Sequence, residues 1–511
     1  MHKYILFLFF FSGFTAVAEP VLIRGKAIDY AGDRAAVFSV EDYISGKRKL
    51  LQVTDIAENG VFSFNLEINE TQAIFICIRR MEGLLYAEPG HRYNVVFPPP
   101  QSAEFRRFDK TEVALEFIDL DVTDLNIAIR DFNSDYISFV NQHYYDFAAG
   151  EYQNSSIYVS SLGNRKDGID LYKTSGQRDS VPLQILSSFG SVVEDFMDTI
   201  SIKYEQSAEN EYFADYMRYS LAEIKMLAGM KKKLFYKEYF MSQQLLVRNP
   251  AFIKCFELFY HDFLLHANKE QQGEVIKAIN VERDPNRLIG IFENDSAALS
   301  RQVRTLAVIK GLNDIYFNKT FSKPGIEKTL QNLSENEKDP ELKKIALNAF
   351  EEMKKCKEGW QSEDFILIDD HDDKWTLSDH EGRPIYLMFY ASWSAQSVKE
   401  MLMMRKWHEL YEKDILFVAI SMDDSYDQFK KYLSENRDQK FTFLYGGGDP
   451  LLPEKFGVRS IPHAIMLDEK GKFMYSLTRK PSEGIQAEFD KVKARAAQNA
   501  NKGTKTWQDK Q

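Results

Sequence analysis

Trp393-Ser394-Ala395-Gln396-Ser397 places two hydroxyls three residues apart, where the apolar run Ile385 to Ala391 gives way to the amphipathic stretch Ser397 to Lys413. Hydroxyls at such a junction can do two things. Ser394 or Ser397 can accept from the unpaired N–H groups of a first helical turn, and Ser397-Val398-Lys399-Glu400 has the S-x-x-E form of a capping box. Alternatively one of them attacks an electrophile, which requires a base in hydrogen-bond reach, an acid to orient that base and donors for an oxyanion. No nucleophile-elbow pattern surrounds either serine, so the local sequence favours capping. Disulfide exchange is not open to the pair, because a serine hydroxyl neither ionises like a thiol nor stores two electrons in a bond. No catalytic residue is assigned here.

The other reactive residue types are sparse. The three cysteines, Cys77, Cys255 and Cys356, are odd in number and widely spaced, which is no disulfide framework; they read as small buried hydrophobes. "DDHDDK", Asp369 to Lys374, lacks the glycine and glutamate spacing of a calcium loop and reads as a hairpin turn. "GGGDP", Gly446 to Pro450, lacks the Lys-Ser/Thr that completes a phosphate loop and reads as a connection. Neither a metal nor a cofactor is expected. A formal charge of -11 repels phosphate backbones, and Lys231 to Lys233 read as a solvated helix face, so nucleic acid is not an expected partner.

These residues need elements to hold them, and 511 residues exceed what one core supports. The first residues, "MHKYILFLFFFSGFTAVAEP", give one lysine, an apolar run from Tyr4 and the small-residue site Ala16-Val17-Ala18, which predicts a signal peptide over 1–18 cut before Glu19. No cysteine stands at that junction and no later run approaches the ~20 apolar residues of a membrane-spanning helix, so a soluble periplasmic protein, not a lipoprotein, is expected. Residues 19–100 alternate with period two. "AIFICIRR" puts Ile74, Ile76 and Ile78 on one face, Asn59-Gly60 and Pro89-Gly90 mark turns, and a triple proline closes the segment. An N-terminal β-sandwich is predicted there. Over 101–361 the period becomes 3.6, with stretches from Leu125 to His143, Glu211 to Met241, Leu299 to Tyr316 and Pro340 to Cys356, and with Phe252, Phe256, Phe259 and Phe263 on one stripe after an Asn249-Pro250 start. This predicts a central all-α domain whose aromatic stripes are core.

Residues 362–498 alternate strand and helix patterns: a hairpin from "EDFILID" and "KWTLSD", the buried strand "PIYLMFYA", a helix containing Met401, Met404 and Leu410, a second buried strand "DILFVAISM", a helix "SYDQFKKYLSEN", then "KFTFLY", a strand pair turning at Lys470-Gly471, and a closing helix. This order, with "DFILID", "TLSDHEGRPIYLMFYASW", "KEM" and "FGVRSIPHAIMLDEKGKF", resembles a thioredoxin-family module of the TlpA/ResA type. Residues 499–511 are a polar tail. Residues 19–100 resemble, in pattern, the β-sandwich leader domains that precede such modules in secreted proteins of Bacteroidetes.

The resemblance implies a C-terminal α/β thioredoxin fold with Ile461-Pro462 at the family's cis-proline. It also implies that the loop around Pro462 lies opposite the motif, with His463 on the side of Ser394 and Ser397. The family works through Trp-Cys-x-x-Cys; Ser394 and Ser397 occupy the two cysteine positions here. The implied function is a redox-inactive, protein-binding or scaffold module, in which Trp393, Ile461, Pro462 and His463 hold an extended peptide or a periplasmic protein. The alternative is a TlpA-type thiol-disulfide oxidoreductase that uses a non-motif cysteine such as Cys356, or a partner's thiols.

Overall fold

The computed structural model describes residues 20–100, 111–143, 183–241, 244–267, 269–447 and 449–495. The signal peptide predicted over 1–18 and the tail 499–511 lie outside the described residues.

Alternation of apolar and polar residues builds the first part. In β4 (Val61–Glu67), Phe62, Phe64 and Leu66 are buried and the residues between them exposed, as a sheet with one wet face requires. β4 pairs with β1 (Pro20–Lys26), which pairs in parallel with β7 (Arg92–Val96). A second sheet takes the order β3 (Lys47–Asp55), β2 (Arg34–Asp42), β5 (Gln72–Ile78), β6 (Met81–Ala87). Side chains from both sheets, including Ile23, Phe64, Ile74, Ile76 and Tyr93, share one core. The chain does not leave these sheets at residue 100, where the prolines suggested a boundary. β8 (Thr111–Val113) adds beside β6 and β9 (Glu116–Ile118) beside β7. Strands of three residues are too short to show a period.

The middle of the chain is helical, and its aromatic stripes are core: Phe235, Phe240, Phe252, Phe256 and Phe259 are all buried in one cluster. Two expected helices are shorter than their patterns. The stretch from Glu211 divides into Glu211–Leu227 and Lys232–Tyr239, with Gly229 at φ +89° between them. The helix begun by Asn249, whose side chain accepts from Ala251 and Phe252 N–H, ends at Phe259, so Phe263 packs from the following turn. The hairpin between β2 and β3 enters this helical core with Ile44, and Asn348 Nδ2 donates to Asp42 Oδ2 at 2.7 Å.

The last part is one sheet of order β11 (Lys374–Thr376), β10 (Ile366–Asp369), β14 (Thr442–Tyr445), β13 (Leu416–Ser421), β12 (Ile385–Tyr390), β15 (His463–Leu467). The three central strands are parallel and the outer pairings antiparallel. Every residue of β12 is buried, because apolar clusters cover both faces: Tyr386, Met388 and Tyr390 on one, Ile385, Leu387 and Phe389 on the other. The helix Ala395–Tyr411 follows β12, Tyr426–Glu435 follows β13, and residues 486–495 close the chain's described part. Of the apolar positions expected to face the core, Met401 and Met404 are buried, but Leu410 is exposed. Asp370 to Asp373 form the turn between β10 and β11, as expected.

Candidate functional site

The motif loop runs from Ala391 to Ser394, at the carboxyl end of β12, and the helix starts at Ala395. Ser394 is the N-cap: its Oγ accepts from Ser397 N–H at 3.3 Å, satisfying one of the unpaired donors of the first turn. The capping box expected from Ser397 to Glu400 does not form. Ser397 lies inside the helix, fully buried, and its Oγ has no partner among the described residues. Glu400 instead accepts from Ser482 N at 2.9 Å and from Ser482 Oγ, which ties the segment around Pro481 to the motif helix.

The loop itself is held by a residue that sequence reasoning missed. Asp423, fully buried just after β13, accepts through Oδ1 from Ser392 N and Ser392 Oγ, both at 2.8 Å, and through Oδ2 from Ser421 Oγ at 2.7 Å. Charge-assisted bonds of this kind are the stronger ones, so the carboxylate fixes the motif loop to the neighbouring strand. The available signal was "SMDDS" at the carboxyl end of a buried parallel strand, where crevices of open α/β sheets form.

Ile461-Pro462 is a cis peptide, and His463 opens β15 opposite Phe389, the residue of β12 that leads toward the motif. The structure thus brings the Trp393–Ser397 segment and the Ile461–His463 segment to the same end of paired strands. It does not assemble a hydrolytic pair: no hydrogen bond joins His463 to Ser394 or Ser397 among the described residues, and Ser394 Oγ is engaged in capping. Burial, helped by the Lys480 ammonium, holds the His463 imidazole below its ordinary pKa and therefore neutral near pH 7. Trp393 is half-buried; its Nε1 is covered and has no acceptor among the described residues.

The cysteines are elsewhere. None is in a disulfide; Cys77 and Cys255 are buried, and Cys356 sits in the connection before β10. Burial pushes the Cys356 thiol up to about 12, and its Sγ approaches Lys455 O at 3.5 Å. A thiol held protonated at pH 7 is a poor nucleophile. No group of His, Cys, Asp and Glu able to hold a metal ion is present among the described residues.

Comparison with known proteins agrees on the last segment. The thioredoxin-like family model matches residues 382–473. The thiol-disulfide oxidoreductase ResA of Bacillus cereus is 25% identical over 129 residues, covering 25% of this chain and 73% of that protein. The thioredoxin-like protein YneN of Bacillus subtilis is 30% identical over 120 residues, 22% of this chain and 67% of its own. Among solved structures, the thioredoxin domain of a thiol-disulfide oxidoreductase from Bacteroides vulgatus is 17% identical, with a TM-score of 0.25 over 26% of this chain and 97% of that one. The matches to these relatives cover about a quarter of the chain.

Proposed function

Through its C-terminal domain the chain belongs to the thioredoxin-like family, and from that premise we propose that it is a binding or scaffold module of the thioredoxin fold, exported from the cytoplasm, that carries out no dithiol cycle. The observation that carries this reading is the pair of serines at the motif: Ser394 serves as a helix cap and Ser397 is sealed in the helix, so neither position offers a nucleophile. Cys356, the cysteine nearest in sequence to the module, is held as a thiol by burial, which argues against the alternative of exchange through a non-motif cysteine. What the site retains is recognition hardware. In this reading the aromatic ring at Trp393 and the strand start at Pro462-His463 form the groove in which an extended segment of a partner protein is held by main-chain pairing. Export rests on the Ala16-Val17-Ala18 site after an apolar run, and no helix among the described residues is long and apolar enough to cross a membrane.

Two variants test the groove. Trp393→Ala and His463→Ala are made in the full chain, folding is confirmed by circular dichroism, and retention of a partner captured by the wild-type protein is measured. At least tenfold weaker retention by a folded variant supports the groove, since a truncated aromatic anchor costs about 2 kcal/mol or more. Unchanged retention by both moves the binding surface to another part of the chain.

A further inference from the structure

The N-terminal sheets reach the motif. β5 and β6 are joined by the two-residue turn Arg79-Arg80, and the two arginines point to different domains. Arg79, at φ +55°, bonds Asp33 at 2.7 Å and lies 5.1 Å from the Tyr30 ring centre, anchoring the turn to its own sheet. Arg80 crosses over: Nη2 bonds Asp424 Oδ1 at 2.6 Å, and its guanidinium carbon stands 5.8 Å from the ring centre of Trp393. Asp424 adjoins Asp423, the carboxylate that holds the motif loop. A second contact docks the same two domains independently of this one. Leu451 packs into a small cluster with Phe38 and Cys77, and Arg48 stacks 4.5 Å over Phe38 while it bonds Glu82 at 2.8 Å and Glu454 at 3.4 Å.

We propose that the Arg79-Arg80 turn is a clasp, by which the N-terminal domain covers Trp393, and that the Arg80 side chain must leave Trp393 and Asp424 before a macromolecular partner reaches the motif end of the groove. Its parts suit a reversible contact. Arg80 and Asp424 keep 19% and 25% of their side chains exposed, so solvent reaches the pair and salt weakens it in part, while the Leu451 cluster keeps the domains together when the pair opens. An arginine over a tryptophan beside a carboxylate is also a subsite that a partner's arginine fills in the same way, which supplies a competitor for the clasp. The gating role rests on the groove reading given above; the clasp itself does not.

Hydroxyl-radical footprinting of the full chain, read by mass spectrometry at Trp393 with Trp375 and Trp407 as internal controls, tests it. Arg80→Ala and Asp424→Asn are each expected to raise Trp393 oxidation about threefold to tenfold, the double variant no more than either single one, and added salt is expected to raise it in the wild type but not in Arg80→Ala. Amide exchange should show β12 and β13 still protected. Trp393 oxidation unchanged in both variants overturns the clasp, and so does a rise accompanied by lost protection throughout the sheet, since the contact would then serve folding. Failure of the groove reading gives a different result: accessible Trp393 in the variants with partner retention indifferent to Trp393→Ala.

Discussion

At Ser394 and Ser397 the same side chain meets opposite environments, and the two positions should respond in opposite ways. Ser394 Oγ satisfies an N–H of the first turn, so Ser394→Ala is expected to lower stability by about 1 kcal/mol, read as a shifted denaturant midpoint. Ser397 Oγ is buried without a partner among the described residues, and Ser397→Ala removes an unpaired polar group; it should be neutral or stabilising by up to about 1 kcal/mol. A larger loss at Ser397 than at Ser394 would contradict this assignment. The capping role was legible in the local sequence, but which serine performs it was not. S-x-x-E named Ser397 because both residues of the pattern were present, whereas the helix begins earlier and Glu400 turns to Ser482, a partner 82 residues away. Asp423 escaped notice for a similar reason: its value lies in bonds to Ser392, which no spacing rule connects to it.

At the scale of elements, the strands and helices of the last domain were readable because β12 and β13 are continuous apolar runs and the helix that follows each carries a polar face. Helix ends were less so, since Gly229 and the turn after Phe259 cut patterns that continue past them. A loop's dependence on one carboxylate yields a prediction here: Asp423→Ala strands three donors and should cost roughly 2–4 kcal/mol, with the motif loop the first segment to lose amide protection. The helix Pro250–Phe259 supplies another. Burial, resisted by the Lys310 ammonium, raises the Glu257 carboxyl to about 7. A carboxyl whose folded pKa exceeds its unfolded value binds its proton more tightly when folded. Its contribution is therefore greatest at low pH and declines as pH rises from about 4.5 through about 7. Glu257→Gln should flatten the wild-type decline over that window and, at pH 8, leave the variant more stable by on the order of 2 kcal/mol. Urea midpoints measured at pH 5 and pH 8 check this; parallel declines in the two proteins would contradict it.

Across the whole molecule, the division into sheets, helices and a mixed last domain followed from the change of hydrophobic period, but the contacts between these parts did not. Arg80 and Trp393 lie 313 positions apart, and "IRR" at a hairpin turn looks like any solvated pair of arginines. Likewise Leu451 reads as a residue after a glycine-rich connection until Phe38 and Cys77 are placed beside it. Such pairings are set by how finished domains meet, which local periodicity does not record. Leu451→Asp places a charge in that cluster and should loosen the N-terminal sheets from the last domain, splitting thermal unfolding into separate transitions. One cooperative transition at the wild-type temperature would show that the cluster does not couple them.

Whether a thioredoxin fold operates here without disulfide exchange is decided by thiol-dependent reduction of insulin by the full chain beside its Ser394→Cys/Ser397→Cys and Cys356→Ser variants. The wild type and Cys356→Ser are expected to stay at the uncatalysed rate while the paired-cysteine variant acquires a reducible disulfide. Wild-type turnover above background that disappears in Cys356→Ser would contradict it.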